Sequence, residues 1–311
     1  MNRSPEHELR QEAERYAPAI RLEFLRHDEK EKETTSGARE GDRHVRLTQK
    51  GREHSTEAGK TKSPHPEVGL VYGSPRERST EAALRQLFAN ESGITPEDSL
   101  EDMGAKIGER VKVGKKNIET SNLDFTSRES GEFHDALYEH YLGPTKDALV
   151  FLREESDALM KKTGDLETTS YSRAAGNVAE LVQKYLGVLP RWERLAAEKP
   201  EEYAKYDNEL QRFFGSHQTA IEPFLMKAIE KSEGPDGVEK FLESLPNKNG
   251  FGFGEGFSAK ISRGENGEPV VGVRYGNREW DLAPEIIDEI VRERDELNEE
   301  ITKKKNENAK R

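Results

Sequence analysis

Val68-Gly69-Leu70-Val71-Tyr72-Gly73-Ser74-Pro75-Arg76-Glu77-Arg78 is the stretch that decides the fold. Its first five residues are a short, continuous apolar run, the pattern of a buried strand. Helix-start chemistry follows at once: Ser74 is placed to cap, Pro75 suits the first helical position, and Glu77 completes an S-x-x-E capping box. Ala82, Ala83, Leu84, Leu87 and Phe88 carry an apolar helical face onward. Strand, tight turn and helix in that order predict an open α/β sheet.

Upstream, Ile20-Arg21-Leu22-Glu23-Phe24-Leu25 alternates with period two and reads as a strand running into Arg26-His27. The charged segment Asp28–Arg46 reads as a loop, and a helix is expected from its N-cap Thr48 towards Ala58. Downstream, residues 90–145 are polar and weakly periodic, too long for a bare loop, so an insertion or lid is expected there. Helices are expected over Thr145–Lys162, Ser170–Tyr185 and Leu189–Lys199. Glu209–Phe214 reads as a third strand closing on Gly215-Ser216-His217, followed by a helix with Ile221, Phe224, Leu225 and Ile229 on its apolar side. Phe257–Ile261 and Pro269–Tyr275 flank Gly264-Glu265-Asn266-Gly267 as a β-hairpin. From Pro284 a charged amphipathic helix carries Ala283, Ile287, Ile290, Leu297 and Ile301 on one stripe, broken at Arg294, which leaves a homodimer contact open. The resulting expectation is a three-layer α/β/α sandwich with a mostly parallel central sheet. A leading charged helix would occupy residues 1–17, the α/β domain 18–282 with its insertion at 91–165, and the charged C-terminal helix 283–311.

Composition narrows the function. The chain has 311 residues, 49 Lys and Arg against 61 Asp and Glu, and no Cys. That excludes a disulfide framework, a thiolate metal site and a cysteine nucleophile. No apolar run approaches the roughly 20 residues of a spanning helix, and the first residues lack the apolar core of a secretory signal, so a cytoplasmic location is expected. A net charge of −12 opposes long-range attraction to nucleic acid or an anionic membrane. An anionic ligand would have to be held by a local cationic cluster.

Such a cluster is written into the strand ends. The first strand ends in Arg26-His27, the second leads into Arg78 one turn inside its helix, and the third ends in Ser216-His217. Ligands of open α/β sheets bind outside the carboxyl ends of the strands, beside helix N-termini that favour anions. If the three strands are parallel neighbours, two Arg and two His converge there. Arg offers a planar fork for phosphate oxygens, and His can act as donor or nucleophile. His44 and His54 have no metal-ligand spacing and read as solvated, and Phe251-Gly-Phe-Gly-Glu-Gly-Phe257 follows no strand and opens no helix, so it reads as an approach to the hairpin.

Arg26-His27, the Leu47-Thr48-x-x-Gly51 helix start, Ser74-Pro75-x-x-Arg78 and Ser216-His217 stand in an order that resembles the histidine phosphatase superfamily, the phosphoglycerate-mutase-like proteins. The resemblance covers residues 18–90 and 165–282. It implies that neutral His27 attacks phosphorus to form a phosphohistidine, which water then hydrolyses. It further implies that Arg26 and Arg78 bind the phosphate oxygens and that a protonated His217 adds a third positive contact; Ser74 is scaffold first, as the cap, with a phosphate contact as its second role. The proton donor expected from the resemblance lies in Ser99-Leu100-Glu101-Asp102-Met103-Gly104, Glu101 ahead of Asp102, with Glu132 or Asp135 as substitutes. Asp28 stands where relatives have Gly, altering the phosphate loop or supplying an acid of its own. The implied function is phosphomonoester hydrolysis of a phosphorylated small molecule or phosphoprotein, with no metal or organic cofactor and with neither nucleic acid nor membrane as partner. Mutase-type phosphoryl transfer and a non-catalytic phosphate-binding regulator are the alternatives; the mutases' R-H-G-x-S/T-x-x-N start is absent.

Overall fold

The computed structural model describes residues 17–32, 42–62, 64–91, 93–108, 118–128 and 130–308. Residues 1–16 of the expected leading helix lie outside the described residues. Three strands come first in the core: β1 (Ala19–Arg26), β2 (Gly69–Gly73) and β3 (Glu209–Ser216). The closing strands are β4 (Gly256–Arg263), β5 (Pro269–Tyr275) and β6 (Arg278–Leu282). All six join one sheet in the order β2-β3-β1-β4-β5-β6.

The sheet corrects the expectation of a mostly parallel one. β1 with β3 and β2 with β3 are parallel, but β1 with β4, β4 with β5 and β5 with β6 are antiparallel. The reason is connectivity: β4, β5 and β6 follow one another through short turns, and a short turn can only reverse the chain. The Asn-Gly turn forms as read, with Gly267 at φ +80°. The sequence reading missed β6.

Parity along the strands separates two cores. Leu25, Val71 and Phe213 face one side, against α2 (Glu77–Leu87), on which α1 (Gln49–Thr61) packs in turn, with Leu47, Ala83, Leu84 and Phe88. Phe24, Tyr72 and Phe214 face the other, against the 28-residue α5 (Tyr171–Glu198) and α6 (Glu222–Glu233). The three layers therefore hold over β2, β3 and β1. Over β4–β6 only alternate residues such as Phe257, Ile261, Val273 and Trp280 are buried, while Lys260, Arg274 and Asp281 on the other face are exposed. A sheet covered on one face alone shows this alternation.

One row of aromatic rings sets the register. Tyr72 pairs with Phe214, Phe214 with Phe24, and Phe24 with Phe257 across four strands. Their rings stack at centroid spacings of 5.5, 4.8 and 5.0 Å. Cross-strand aromatic pairs stabilise one alignment over its neighbours, and a slip of one residue would turn every ring to the opposite face. With Arg26 paired to Ser216, the ladder brings the next residues, His27 and His217, level with each other.

Between β2 and β3 the described residues of the insertion are largely helical, as a polar and helical insertion requires. It contains α3 (Leu100–Ile107), α4 (Glu132–Leu142) and a further helix from Ala148 to Thr163 with a π-helical turn at Leu152–Ser156. Two expected helices are one: α5 runs through Pro190 because Leu189 and Trp192 continue the buried stripe. The C-terminal α8 (Pro284–Asn308), which follows α7 (Pro235–Ser244), buries Ile287, Ile290, Leu297 and Ile301 against the chain itself. Arg294, which breaks that stripe, lies over Gly176 of α5 and reaches Glu180 Oε2 at 2.7 Å. No described helix is long and apolar enough to cross a membrane.

Candidate active site

Gly73, the last residue of β2, and Gly215, the last but one of β3, lack side chains, and a Cβ on either would collide with the first turn of α2 at Thr80 or Ser79. That close approach brings Arg78 over the end of β1. The helix does not start as the sequence suggested. Arg76 is its N-cap and makes no side-chain cap bond, while Ser74 Oγ accepts from Arg76 N at 3.2 Å just ahead of the helix. The same hydroxyl meets Ser79 Oγ at 2.8 Å and His217 Nε2 at 2.5 Å. The serine thus ties the helix start to the residue that follows β3.

His27 and His217 meet edge to face with ring centroids 5.1 Å apart. His27 Nδ1 lies 2.7 Å from the carbonyl oxygen of Asp28, so the proton sits on Nδ1 and Nε2 carries the lone pair. Arg78 Nε donates to that Nε2 at 3.1 Å. Burial, then the Arg78 guanidinium, pushes His27 down to about 3, so it is neutral at ordinary pH. His217 is also held well below its ordinary value, by burial and then by Arg76, His27 and Arg78. The protonated His217 expected from the resemblance is therefore corrected: among the protein's own groups it is a neutral imidazole, with Nδ1 buried and without a hydrogen-bond partner.

Four cations, Arg26, Lys30, Arg76 and Arg78, line the same cavity of about 500 Å³. Arg26 Nη1 donates to Phe251 O, and its guanidinium lies 4.5 Å from the ring centre of Phe253. The Arg78 fork is occupied by Asp42, with Nη1–Oδ1 and Nη2–Oδ2 both at 3.0 Å, and Lys30 Nζ reaches the same carboxylate at 3.0 Å. Burial alone would raise Asp42, but the hydrogen bonds and charges of Arg78 and Lys30 hold its carboxyl well below the usual range. Asp42 thus places an anion where the cations converge.

None of the expected proton donors reaches this cavity. Glu101 is exposed and bonds Arg46 Nη2 at 2.6 Å, while Asp102 closes the capping box of α3 with Ser99. Glu132 pairs with Lys162 and Asp135 with His134, both on the surface. Asp28 is buried but turned to α1, accepting from Ser55 Oγ at 2.5 Å and lying 2.6 Å from His54 Nδ1. Its role is to hold the loop whose carbonyl orients His27. The nearby carboxyl is one the sequence reading missed. Asp124 Oδ1 lies 3.9 Å from His217 Nε2 and 3.5 Å from Arg76 Nε. Burial raises Asp124, against the opposing charges of Arg76 and Arg43. Ser216 Oγ donates to Leu123 O at 2.7 Å and pins the segment to the end of β3. A single Asp between Leu123 and Phe125, in an otherwise polar insertion, was the available signal.

A second cavity of about 510 Å³ opens at the opposite, amino ends of β2 and β3, lined by Val68, Trp192, Tyr203, Tyr206 and Arg212. Glu67, Glu202, Arg191 and Lys205 also line it, but no histidine does. Among the described residues no three His, Asp or Glu side chains gather in a group that could hold a metal ion.

No family model and no curated protein matches the chain. Among solved structures it is similar to a mycobacterial glucosyl-3-phosphoglycerate phosphatase, at 16% identity over 79% of this chain and 91% of that one, TM-score 0.41. It is also similar to mycobacterial hydrolase 2, at 15% identity over 89% and 98% of the two chains, TM-score 0.44. A phosphoglycerate mutase from Bacillus anthracis is similar at 14% identity over 89% and 99%, TM-score 0.37. At these identities and scores the site has to be read from its own atoms. The solved structures this chain resembles are histidine-phosphatase-superfamily members.

Proposed function

We propose that the protein is a phosphomonoester hydrolase working through a phosphohistidine on His27. The observation that carries this reading is the neutral His27 Nε2, its lone pair turned to Arg78 Nε at 3.1 Å, with His217 beside it. An imidazole kept unprotonated inside a cationic cluster has the two properties a phosphoryl acceptor needs: an unprotonated electron pair and fixed positive charge for the transferring oxygens. An entering phosphate takes the Arg78 donors now given to Asp42. Its negative charge also opposes the positive potential that, after burial, keeps His217 neutral.

The steps balance as follows. His27 Nε2 forms a bond to phosphorus while the ester P–O bond breaks. The departing oxygen keeps that electron pair and takes a proton from Asp124, the carboxyl that burial keeps protonated to higher pH. Water then attacks the phosphorus, giving its proton to the Asp124 carboxylate. The N–P bond breaks, inorganic phosphate leaves, and His27 regains its lone pair. Asp42, held ionised, is unsuited to donate that proton.

Support for hydrolysis comes from incubating the purified protein with p-nitrophenyl phosphate in the presence of EDTA. Turnover is expected, and His27→Ala is expected to lower kcat by about 10⁴-fold or more, as loss of a nucleophile does. Equal rates in wild type and variant would remove His27 from the reaction. Turnover that disappears with EDTA and returns with added metal would replace this mechanism.

A further inference from the structure

Tyr138, Leu142 and Phe253 are 54%, 64% and 46% exposed, the exposed large hydrophobic side chains among the described residues. Scattered singly, such residues need no explanation. These three are not scattered. All of them line the cavity with His27 in its wall, two from α4 and one from the loop leading into β4. Leu137, Tyr138, Tyr141 and Leu142 share one face of α4, at the spacing of successive helical turns. Tyr141 holds that face over the site by donating to Gln218 Oε1 at 2.6 Å. Across the cavity, Phe253 lies against the Arg26 guanidinium.

Charge divides the cavity in the same way. Three of its four cations gather at one end, where Lys30, Arg76 and Arg78 all reach Asp42, while Arg26 lies under Phe253. The α4 wall contributes no Lys or Arg to the lining. A phosphoryl group therefore has its counter-charges at the His27 end, while the group bonded to it meets aromatic and aliphatic carbon. A leaving group with a second anionic charge would find no cation on that wall and would face a chain of net charge −12.

We propose that the substrate is an aryl phosphomonoester, its aromatic ring seated between the Tyr138–Leu142 face of α4 and Phe253 and its phosphoryl group in the Arg78 fork. This deepens the hydrolase reading and rests on it. The P–O(aryl) bond breaks as His27 Nε2 bonds to phosphorus, the electron pair passes to the phenolic oxygen, and Asp124 supplies its proton. A phosphotyrosyl side chain and a free aryl phosphate share this chemistry.

The test separates ring recognition from turnover by using two non-hydrolysable phosphonates, at a pH where both are dianions. Calorimetry is expected to give phenylphosphonate a Kd about tenfold or more below that of methylphosphonate, the effect of burying one ring. In Tyr138→Ser and in Phe253→Ser the ratio is expected to fall to about twofold or less. Both side chains are exposed, and a thermal melt checks that the variants fold. Equal Kd values in the wild type overturn the aryl class even if phosphoesters are hydrolysed. A phenyl preference without His27-dependent hydrolysis overturns the hydrolase reading and leaves the ring site standing. Binding of neither phosphonate sinks both. Finally, kcat/KM on a phosphotyrosyl peptide is compared with that on free phosphotyrosine. A faster peptide points to a protein substrate and equal rates to a small molecule; an alkyl phosphate faster than both overturns the proposal.

Discussion

The parallel strands β2, β3 and β1 are buried on both faces, whereas β4, β5 and β6 turn one face to water. The two halves share a sheet and divide its work. Parallel strands all deliver their carboxyl ends to one side, so His27, Ser74 and His217 arrive together, and α2 adds Arg78 to them. Antiparallel strands alternate their ends and cannot gather side chains in that way. What the antiparallel half supplies is a hold on the seam: Glu255 O accepts from the backbone of Arg26, and Phe251 O accepts from its guanidinium.

The largest expected effect that would sharpen this division belongs to Asp124, which the insertion brings to the parallel half. Asp124→Asn should lower kcat on an alkyl phosphomonoester by about a hundredfold or more, the usual worth of a proton donor. On p-nitrophenyl phosphate, whose leaving group needs little protonation, the loss should stay below about tenfold. Equal losses on both substrates would assign Asp124 to binding or structure.

A smaller effect tests the antiparallel half as scaffold. Ile261 is fully buried on β4 and pairs with Ile20, at the end of β1 away from the site. Ile261→Ala should cost about 3 kcal/mol in denaturant unfolding, with kcat of the folded enzyme unchanged. On the same strand Lys260→Thr, on the open face, should shift stability by less than about 0.5 kcal/mol. A loss of kcat in Ile261→Ala would break the division between the halves.

A further effect lies at the seam. Glu222 is fully buried, accepts from Phe251 N at 2.9 Å, and is raised by burial to about 7 from an ordinary 4.5. The folded protein then holds this proton more tightly than the unfolded chain, so its contribution is complete below about pH 4.5 and is lost as pH rises towards 7. The Tm of the wild type should therefore fall across that window relative to Glu222→Gln, by about a few degrees. Parallel Tm curves would show that Glu222 titrates alike in both states.

The parallel half was legible in the sequence because its signals are local. A period-two run, an apolar run and a third strand each end in a distinct residue pair, and those ends became His27, the Ser74–Arg78 turn and His217. What escaped depends on contacts made only after folding. Ser74 fits a helix cap equally well, and only the docking of β3 beside it settles its partner as His217. Glu101 and Asp102 sit in a good helix start, which is where they stay. Asp124 reaches the site through a tertiary bond from Ser216 to Leu123, invisible to any spacing rule. The antiparallel share of the sheet was understated because β6 is short and its outward residues are charged.

The stacked rings of Tyr72, Phe214, Phe24 and Phe257 touch none of the chemistry, yet they index it. Each ring fits only opposite its neighbour, and three residues beyond that row the chain ends up with two imidazoles side by side. The spacing between the two imidazoles is in this sense inherited from the greasy interior. Evolution could revise the exposed wall on α4 freely, while the distance from His27 to His217 would stay fixed as long as the phenyl column stood.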